Sequence, residues 1–399
     1  MDVVLCEYHH DLGGTSTVGV LGKYYPSEVA SRGFSAEMDP PIGAMAANIN
    51  QGKAEWFRRT GRKHGVRILT GTLVCGLTVQ EGRVTGAVVA FPDGRRGVIL
   101  AKTVVDATGN ADLAAACGEP TQFIGDAELA IQGASKNDRL LGSNTVNVDI
   151  GFVDDTDAWD TSFFSLRTRR TLALNSTWDQ SQHVDSRERR RIVGAYTVKA
   201  ADVLAGRRFH DTVVQGMAPL DNHGQTTDPM LALFCPTPEL LELNFPYRMM
   251  LPSGIDGLLV TGLGISADHD AIAAMRMQRD LQNLGYAAGL AAAMSIKDGI
   301  VPRSINVREL QSKLVEIGIL DPDAATWCDS FPLPHAELEA AVLRIPDRGP
   351  NGMSGYKGLA ELHSDPRTAV ELLKQAYEAA DNSEARVMYA ALLAVFGDA

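Results

Sequence analysis

The chain is short of several things, and each shortage closes a line of interpretation. Its five cysteines (Cys6, Cys75, Cys117, Cys235 and Cys328) are scattered, with no C-x-x-C pair. A disulfide framework or a thiolate zinc site needs closer spacing, so neither is expected. Positive charge is outweighed: 37 Lys and Arg face 49 Asp and Glu, a formal net charge of −12. Nucleic-acid binding calls for a clustered basic face and is set aside. The local basic run Arg187, Arg189, Arg190, Arg191 is interleaved with Asp185 and Glu188 and reads as a solvated helix face. No apolar run is long enough to span a bilayer and no signal peptide is read, so no membrane role is expected and cytoplasmic is the default location. A nucleophile elbow, a P-loop and any metal-ligand spacing are also missing.

What is present is ample material for a large core and two or more domains: 399 residues, 45% hydrophobic, with 38 glycines. The most informative stretch is 254–293. Leu258, Leu259 and Val260 read as a buried strand, followed by the turn Gly262-Leu263-Gly264. Ser266 is placed to cap a long helix, along which Gly285, Ala288, Gly289 and Ala292 recur on one face. Such a stripe lets a backbone approach a sheet closely. A strand, a glycine turn and a helix N-terminus can aim backbone N–H groups at a cofactor, although packing alone explains small residues equally well.

A second signal lies at Val3-Val4-Leu5-Cys6-Glu7, an apolar strand ending in an acid. In a dinucleotide-binding βαβ unit, an acid at the end of the second strand bonds the ribose hydroxyls. The G-x-G-x-x-G turn belonging to such a unit should stand about 20 residues earlier. The sequence holds none, there or elsewhere. Taken alone, Glu7 is a polar residue ending a strand.

Residues 11–42 are rich in Gly, Ser and Pro and read as loop with short elements, and a helix is expected over 43–64. Strands are expected around 66–79, 83–91 and 97–108, with Pro92-Asp93-Gly94 as a turn. Strands grouped between helices suggest a β insertion beside a parallel sheet, hence an α/β class. Residues 118–250 show no consistent period and are assigned to the substrate side. The last third reads as four successive amphipathic helices, spaced like one or two units of a HEAT-type array or packed as a plain bundle. In the array reading they form a surface for a protein partner or self-association.

VVLCEYHHDLGGTSTVG at the start resembles the second strand and following loop of the FAD-dependent oxidoreductase family. That family belongs to the two-dinucleotide-fold flavoproteins, with fumarate reductase flavoproteins among its distant relatives. KTVVDATGNADLAAACGEP at 102–120 resembles its strand and Ala-Thr-Gly motif. SRERRRIVG (186–194), GRRFHDTV (206–213) and PLDNHG (219–224) resemble its middle segment. FPYRMMLPSGIDGLLVTGLGIS at 245–266 resembles its C-terminal flavin motif. The order is colinear from residue 1 to about 320.

The resemblance implies FAD as cofactor. Glu7 would bond the adenosine ribose, Gly13, Gly14 and Thr15 would bring backbone to the cofactor, and Val74 would lie near the adenine. Ala107, Thr108 and Gly109 would sit at the sheet's carboxyl edge. Gly262, Gly264, Ile265 and Ser266 would pass the isoalloxazine, with the helix beginning near Ala267 turning its positive end to the flavin. His223 is the candidate acid/base and Arg248 the candidate for a substrate carboxylate or hydroxyl, with Arg190 and Arg191 behind it and His269 at the helix start.

Two departures from the family stand out besides the absent glycine turn. Leu263 occupies a place where the family has arginine, and Asp268 and Asp270 load the helix's first turn with negative charge. The implied architecture is an incomplete Rossmann-like FAD/NAD(P)-binding domain with a β insertion, built from 1–117 and 251–300 and lacking its first βα unit, as in a truncated chain. A substrate domain over 118–250 and a helical region over 301–399 complete it. The implied function is hydride transfer between a small organic substrate and FAD. The alternative is a non-catalytic relative that has lost FAD and acts through its C-terminal helices.

Overall fold

A computed structural model describes residues 2–19, 32–45, 49–123, 157–160, 162–163, 166, 190–221, 226–234, 240–346 and 353–397. Strand β1 (Val4–Glu7) pairs in parallel with β2 (Arg67–Thr70), Glu7 lying opposite Thr70. Helices α1 (Phe34–Met45) and α2 (Ile49–Lys63) lie between them in the chain. The loop expected over 11–42 is thus corrected from Phe34 onward, where α1 begins, while most of the helix expected over 43–64 is present as α2. Pro40 and Pro41 lie inside α1, which local propensity disfavours. Packing decides the matter: Met38 and Ile42 are buried with Trp56, and the side-chain carbonyl of Asn283 accepts the Ser35 amide at 3.0 Å in the first turn.

Strands β3 (Leu73–Gln80), β4 (Arg83–Ala90) and β5 (Arg96–Leu100) form an antiparallel sheet, the expected β insertion. The strand read over 66–79 breaks at Gly71, whose φ of +64° turns the chain out of the parallel pair. The strand read over 97–108 divides too. β5 stays with the insertion, while β6 (Val104–Asp106) leaves to pair in parallel with β11 (Leu258–Val260).

Beyond β6 come α3 (Asp112–Ala116) and β7 (Thr121–Phe123), which pairs antiparallel with β8 (Arg190–Ile192). Helix α4 (Ala200–Ala205), strand β9 (Thr212–Ala218), helix α5 (Pro229–Phe234) and strand β10 (Leu241–Pro246) follow, β9 and β10 pairing antiparallel. Here the helix reading of the basic run fails at Arg190 and Arg191, which lie in a strand. Arg187 and Arg189 fall outside the described residues.

Helix α6 (His269–Met275) is short, and α7 (Gln278–Asp298) is the long one. Among the described residues, β1–β2 and β6–β11 share no ladder, so the single parallel sheet expected is two short pairs. Helix α7 ties them together. At its start, Gln278 accepts the Lys53 ammonium at 2.7 Å, Arg279 pairs with Asp39 and the Tyr286 ring meets that of Phe34. Near its end, Ser295 meets Thr103 just before β6. The small-residue stripe is buried in part, at Ala288 and Ala292. Leu284, Ala287, Ala288, Ala291 and Ser295 are buried, whereas a Cβ added at Gly285 or Gly289 would touch nothing within 4 Å.

Helices α8 (Val307–Glu316), α9 (His335–Arg344), α10 (Met353–Leu362), α11 (Pro366–Ala379) and α12 (Ser383–Val395) close the chain. Their buried residues, Leu338, Leu359, Leu373 and Leu392 among them, continue the core formed by Val213, Leu243, Phe245 and Ala287. α10 approaches α9 so closely that a Cβ on Gly358 would lie 2.6 Å from the Ala341 carbonyl oxygen. Among the described residues no helix is long and apolar enough to cross a membrane.

Candidate functional site

Parallel pairing of β6 with β11 sets Asp106 opposite Val260, so the Ala-Thr-Gly and Gly-Leu-Gly segments leave the pair at one edge. Asp106, wholly buried, organises the first segment. One carboxylate oxygen accepts the Thr108 amide at 3.0 Å and its hydroxyl at 2.7 Å; the other accepts the Leu113 and Ala114 amides at the start of α3. Burial raises its carboxyl above the usual range, against these four hydrogen bonds. The Thr108 hydroxyl also accepts the Asp112 amide at 2.9 Å, so that side chain is occupied in shaping its own loop. Ala107 and Thr108 remain exposed at the edge, with Gly109 half-buried.

The two segments then close on each other. A Cβ on Gly264 would fall 2.8 Å from the Ala111 nitrogen, which only glycine avoids. Gly109 (φ +82°) and Gly262 (φ +73°) behave differently, since a Cβ on either would meet nothing within 4 Å. Both are held in the left-handed region beside open space. Just before the turn, the Thr261 hydroxyl is buried without a hydrogen-bond partner.

Two arginines unmarked as braces in the sequence hold this edge from behind. Arg190 donates to the Asn110 carbonyl at 2.9 Å and pairs with Asp112. Arg191, fully buried, donates to the Ala267 carbonyl at 2.8 Å. Neighbouring residues of β8 therefore support opposite segments of the site.

Ile265 and Ser266 lie beneath the edge, not on it, both completely buried. The Ser266 hydroxyl accepts the Gly194 amide at 2.9 Å and bonds the Thr197 hydroxyl, while its own amide donates to Met249. Ser266 does not cap the helix. Asp268 does, accepting the Ala271 amide at 2.7 Å and, through its other oxygen, the Ala200 amide. Burial pushes the Asp268 carboxyl up to about 6. Asp270 accepts the Thr227 and Asp228 amides. The positive end of α6 is thus met inside the protein by its own acids, which offset its field. His269 is buried in the same turn.

At the other parallel pair, Glu7 ends β1 and its carboxylate accepts the His9 amide at 2.9 Å. The Gly71 and Thr72 amides donate to the His9 and Glu7 carbonyls, bringing the start of β3 and Val74 past the acid. Gly13 (φ +103°) and Gly14 (φ +51°) open a tight turn through Ser16, in which Thr15 is half-buried. Asn50 of α2 fastens that turn by donating to the Ser16 carbonyl at 2.9 Å.

Arg248 is more committed than a free substrate anchor. Its Nε donates to Asp211 at 3.0 Å, its Nη2 to Asp329 at 3.2 Å, and its guanidinium lies 5.3 Å from the Tyr196 ring centre. His223 falls outside the described residues. The loop leading to it is held at Asp221, whose carboxylate meets Arg276 at 3.2 Å.

Residues 1–181 and 172–314 match the family described as FAD dependent oxidoreductase. The chain belongs to that family. No curated protein matches it. Among solved structures, a geranylgeranyl bacteriochlorophyll reductase-like protein from Thermoplasma acidophilum is 10% identical, with 82% of this chain and 75% of that one covered and a TM-score of 0.29. The myxobacterial FAD-dependent halogenase CndH is 13% identical, 91% of each chain covered, TM-score 0.31. The Mycobacterium smegmatis Sdh1 complex is 14% identical with a TM-score of 0.28; 84% of this chain is covered, and it spans 64% of that chain.

Proposed function

We propose that this family member is an FAD-dependent oxidoreductase that transfers hydride between a small organic substrate and the flavin. The observation that supports it best is the edge shared by β6 and β11. There Gly109 and Gly262 present backbone beside open space, with the buried Thr261 hydroxyl lacking a partner next to them. These features fit a planar group lying against the edge, and Glu7 at the end of β1 fits the acid that bonds a ribose. Gly109 and Gly262 would pass the ring system, while Glu7, Gly13, Gly14 and Thr15 would serve the adenosine side. FAD, when bound, supplies the hydride chemistry.

The chain's own residues orient and exclude. Asp106, Arg190 and Arg191 hold the two segments at fixed spacing, and Ile265 and Ser266 support them from below. Arg248, fixed by Asp211 and Asp329, would serve the substrate side as a stationary hydrogen-bond donor whose charge the two carboxylates already meet. His223 is proposed to move the proton, an assignment resting on its sequence context alone.

A visible spectrum of the purified chain, taken after incubation with FAD and gel filtration, tests the proposal. An oxidised-flavin band should persist, and Gly262→Val should weaken binding by about ten-fold or more by placing a β-branched side chain at a positive φ. A colourless chain would remove the enzyme reading and leave the interaction-protein alternative. Full turnover by His223→Ala would remove the proton-transfer role only.

A further inference from the structure

His210, Asp211 and Asp329 meet at one point on the far side of Arg248, although Asp329 lies more than a hundred residues along the chain. The His210 Nδ1, one oxygen of Asp211 and one of Asp329 all lie within 4.8 Å of one another. His210 Nδ1 stands 3.0 Å from Asp329 Oδ2 and 3.9 Å from Asp211 Oδ1. The two carboxylates share a division of labour. Asp211 gives Oδ2 to Arg248, and Asp329 gives Oδ1 to Arg248 and to the His210 amide, so each turns its other oxygen toward the imidazole.

Asp211 supplies an independent sign that something further belongs there. Its side chain is only 2% exposed, and its Oδ1 is buried with no hydrogen-bond partner. A buried carboxylate oxygen left bare has lost its hydration and gained nothing in exchange. At 3.9 Å the imidazole is too far to satisfy it by a hydrogen bond.

We propose that His210, Asp211 and Asp329 form a binding site for a divalent first-row transition cation, with Zn²⁺ as its representative. An imidazole with two carboxylates suits zinc better than magnesium or calcium, which favour all-oxygen sets. Bonds of about 2.0–2.1 Å put tetrahedral ligand atoms roughly 3.3 Å apart, and the contacts of 3.0 and 3.9 Å bracket that spacing. Arg248 holds the non-ligating oxygens, the kind of outer contact that orients carboxylate ligands. Two carboxylates against one guanidinium leave one negative charge for the cation to meet. His210 is 47% exposed on its side chain, so a fourth position opens to solvent. The cation would fasten the segment carrying Asp329 to the entry of β9.

The test uses the full chain stripped with EDTA and titrated calorimetrically with Zn²⁺ alone, without added flavin. One Zn²⁺ should bind per chain, and His210→Ala and Asp329→Asn should each weaken it by about ten-fold or more while keeping the wild-type circular dichroism. Co²⁺ should give a visible spectrum without a thiolate charge-transfer band. Cys328→Ser, beside the site in sequence, should bind as wild type. Absence of stoichiometric Zn²⁺ binding would overturn the proposal, leaving an ordinary His210–Asp329 contact. Undiminished affinity in both ligand variants, or loss in Cys328→Ser, would overturn it as well.

Discussion

Asp280 shows how far one side chain can lean on pH. Its carboxyl lies buried against Gly216 of β9, with Oδ2 unpartnered, and burial pushes its pKa from the ordinary 3.8 up to about 7. The folded state therefore binds this proton more tightly than the unfolded chain does. The stabilisation conferred by the neutral form is complete below about 3.8 and is lost as pH rises to about 7. The loss is at most on the order of 4 kcal/mol. Asp280→Asn should unfold at higher denaturant than wild type at about pH 8, with a smaller gain at about pH 5; equal gains at both would exclude the cause. Gly264→Ala is the steric counterpart, forcing a methyl toward the Ala111 nitrogen. It should cost about 1–3 kcal/mol in urea unfolding, whereas alanine at Gly285, which meets open space, should be neutral or stabilising. None of this could be read from the sequence, where Asp280 is one acid among many and Gly264 and Gly285 carry the same letter.

Among the elements, the strand bearing Leu258–Val260 and the turn after it were legible, because a short apolar run followed by glycines has few other readings. The three-stranded insertion was also legible from its turns, with boundaries misplaced where one run of β-forming residues serves two sheets. Helix α1 was not, since two prolines speak locally for a loop and the deciding contacts come from Trp56 and Asn283. The bracing of the site was hidden for the same reason. Arg190 and Arg191 look like surface charge until β8 is seen to carry them inward. Removing the buried guanidinium in Arg191→Met should cost about 2 kcal/mol and weaken FAD binding together with stability, measured by urea titration with and without flavin. Unchanged stability would show that Ala267 finds another donor.

On the scale of the whole molecule, the core runs unbroken from the β9–β10 pair through α7 and α8 into the four terminal helices. Unfolding should therefore be shared. Leu359→Ala, deep in α10, should lower thermal midpoints read by far-UV circular dichroism and by tryptophan fluorescence together, with a loss of about 2–5 kcal/mol. Separate transitions would make the terminal helices an independent body. Sequence periodicity revealed those helices and left open whether they stack as an array or pack as a bundle, because amphipathic stripes do not name their partners.

The alternation of β8 has a further bearing on how the site keeps its dimensions. Successive strand residues project to opposite faces, and here one reaches Asn110 and the next Ala267. A slip of a single residue in the ladder with β7 could carry Arg191 to the place of Arg190 and Ile192 to that of Arg191, leaving the Ala267 carbonyl without its guanidinium. The gap between the glycine-bearing segments is consequently calibrated by a three-residue ladder, a vernier that either meshes or misses.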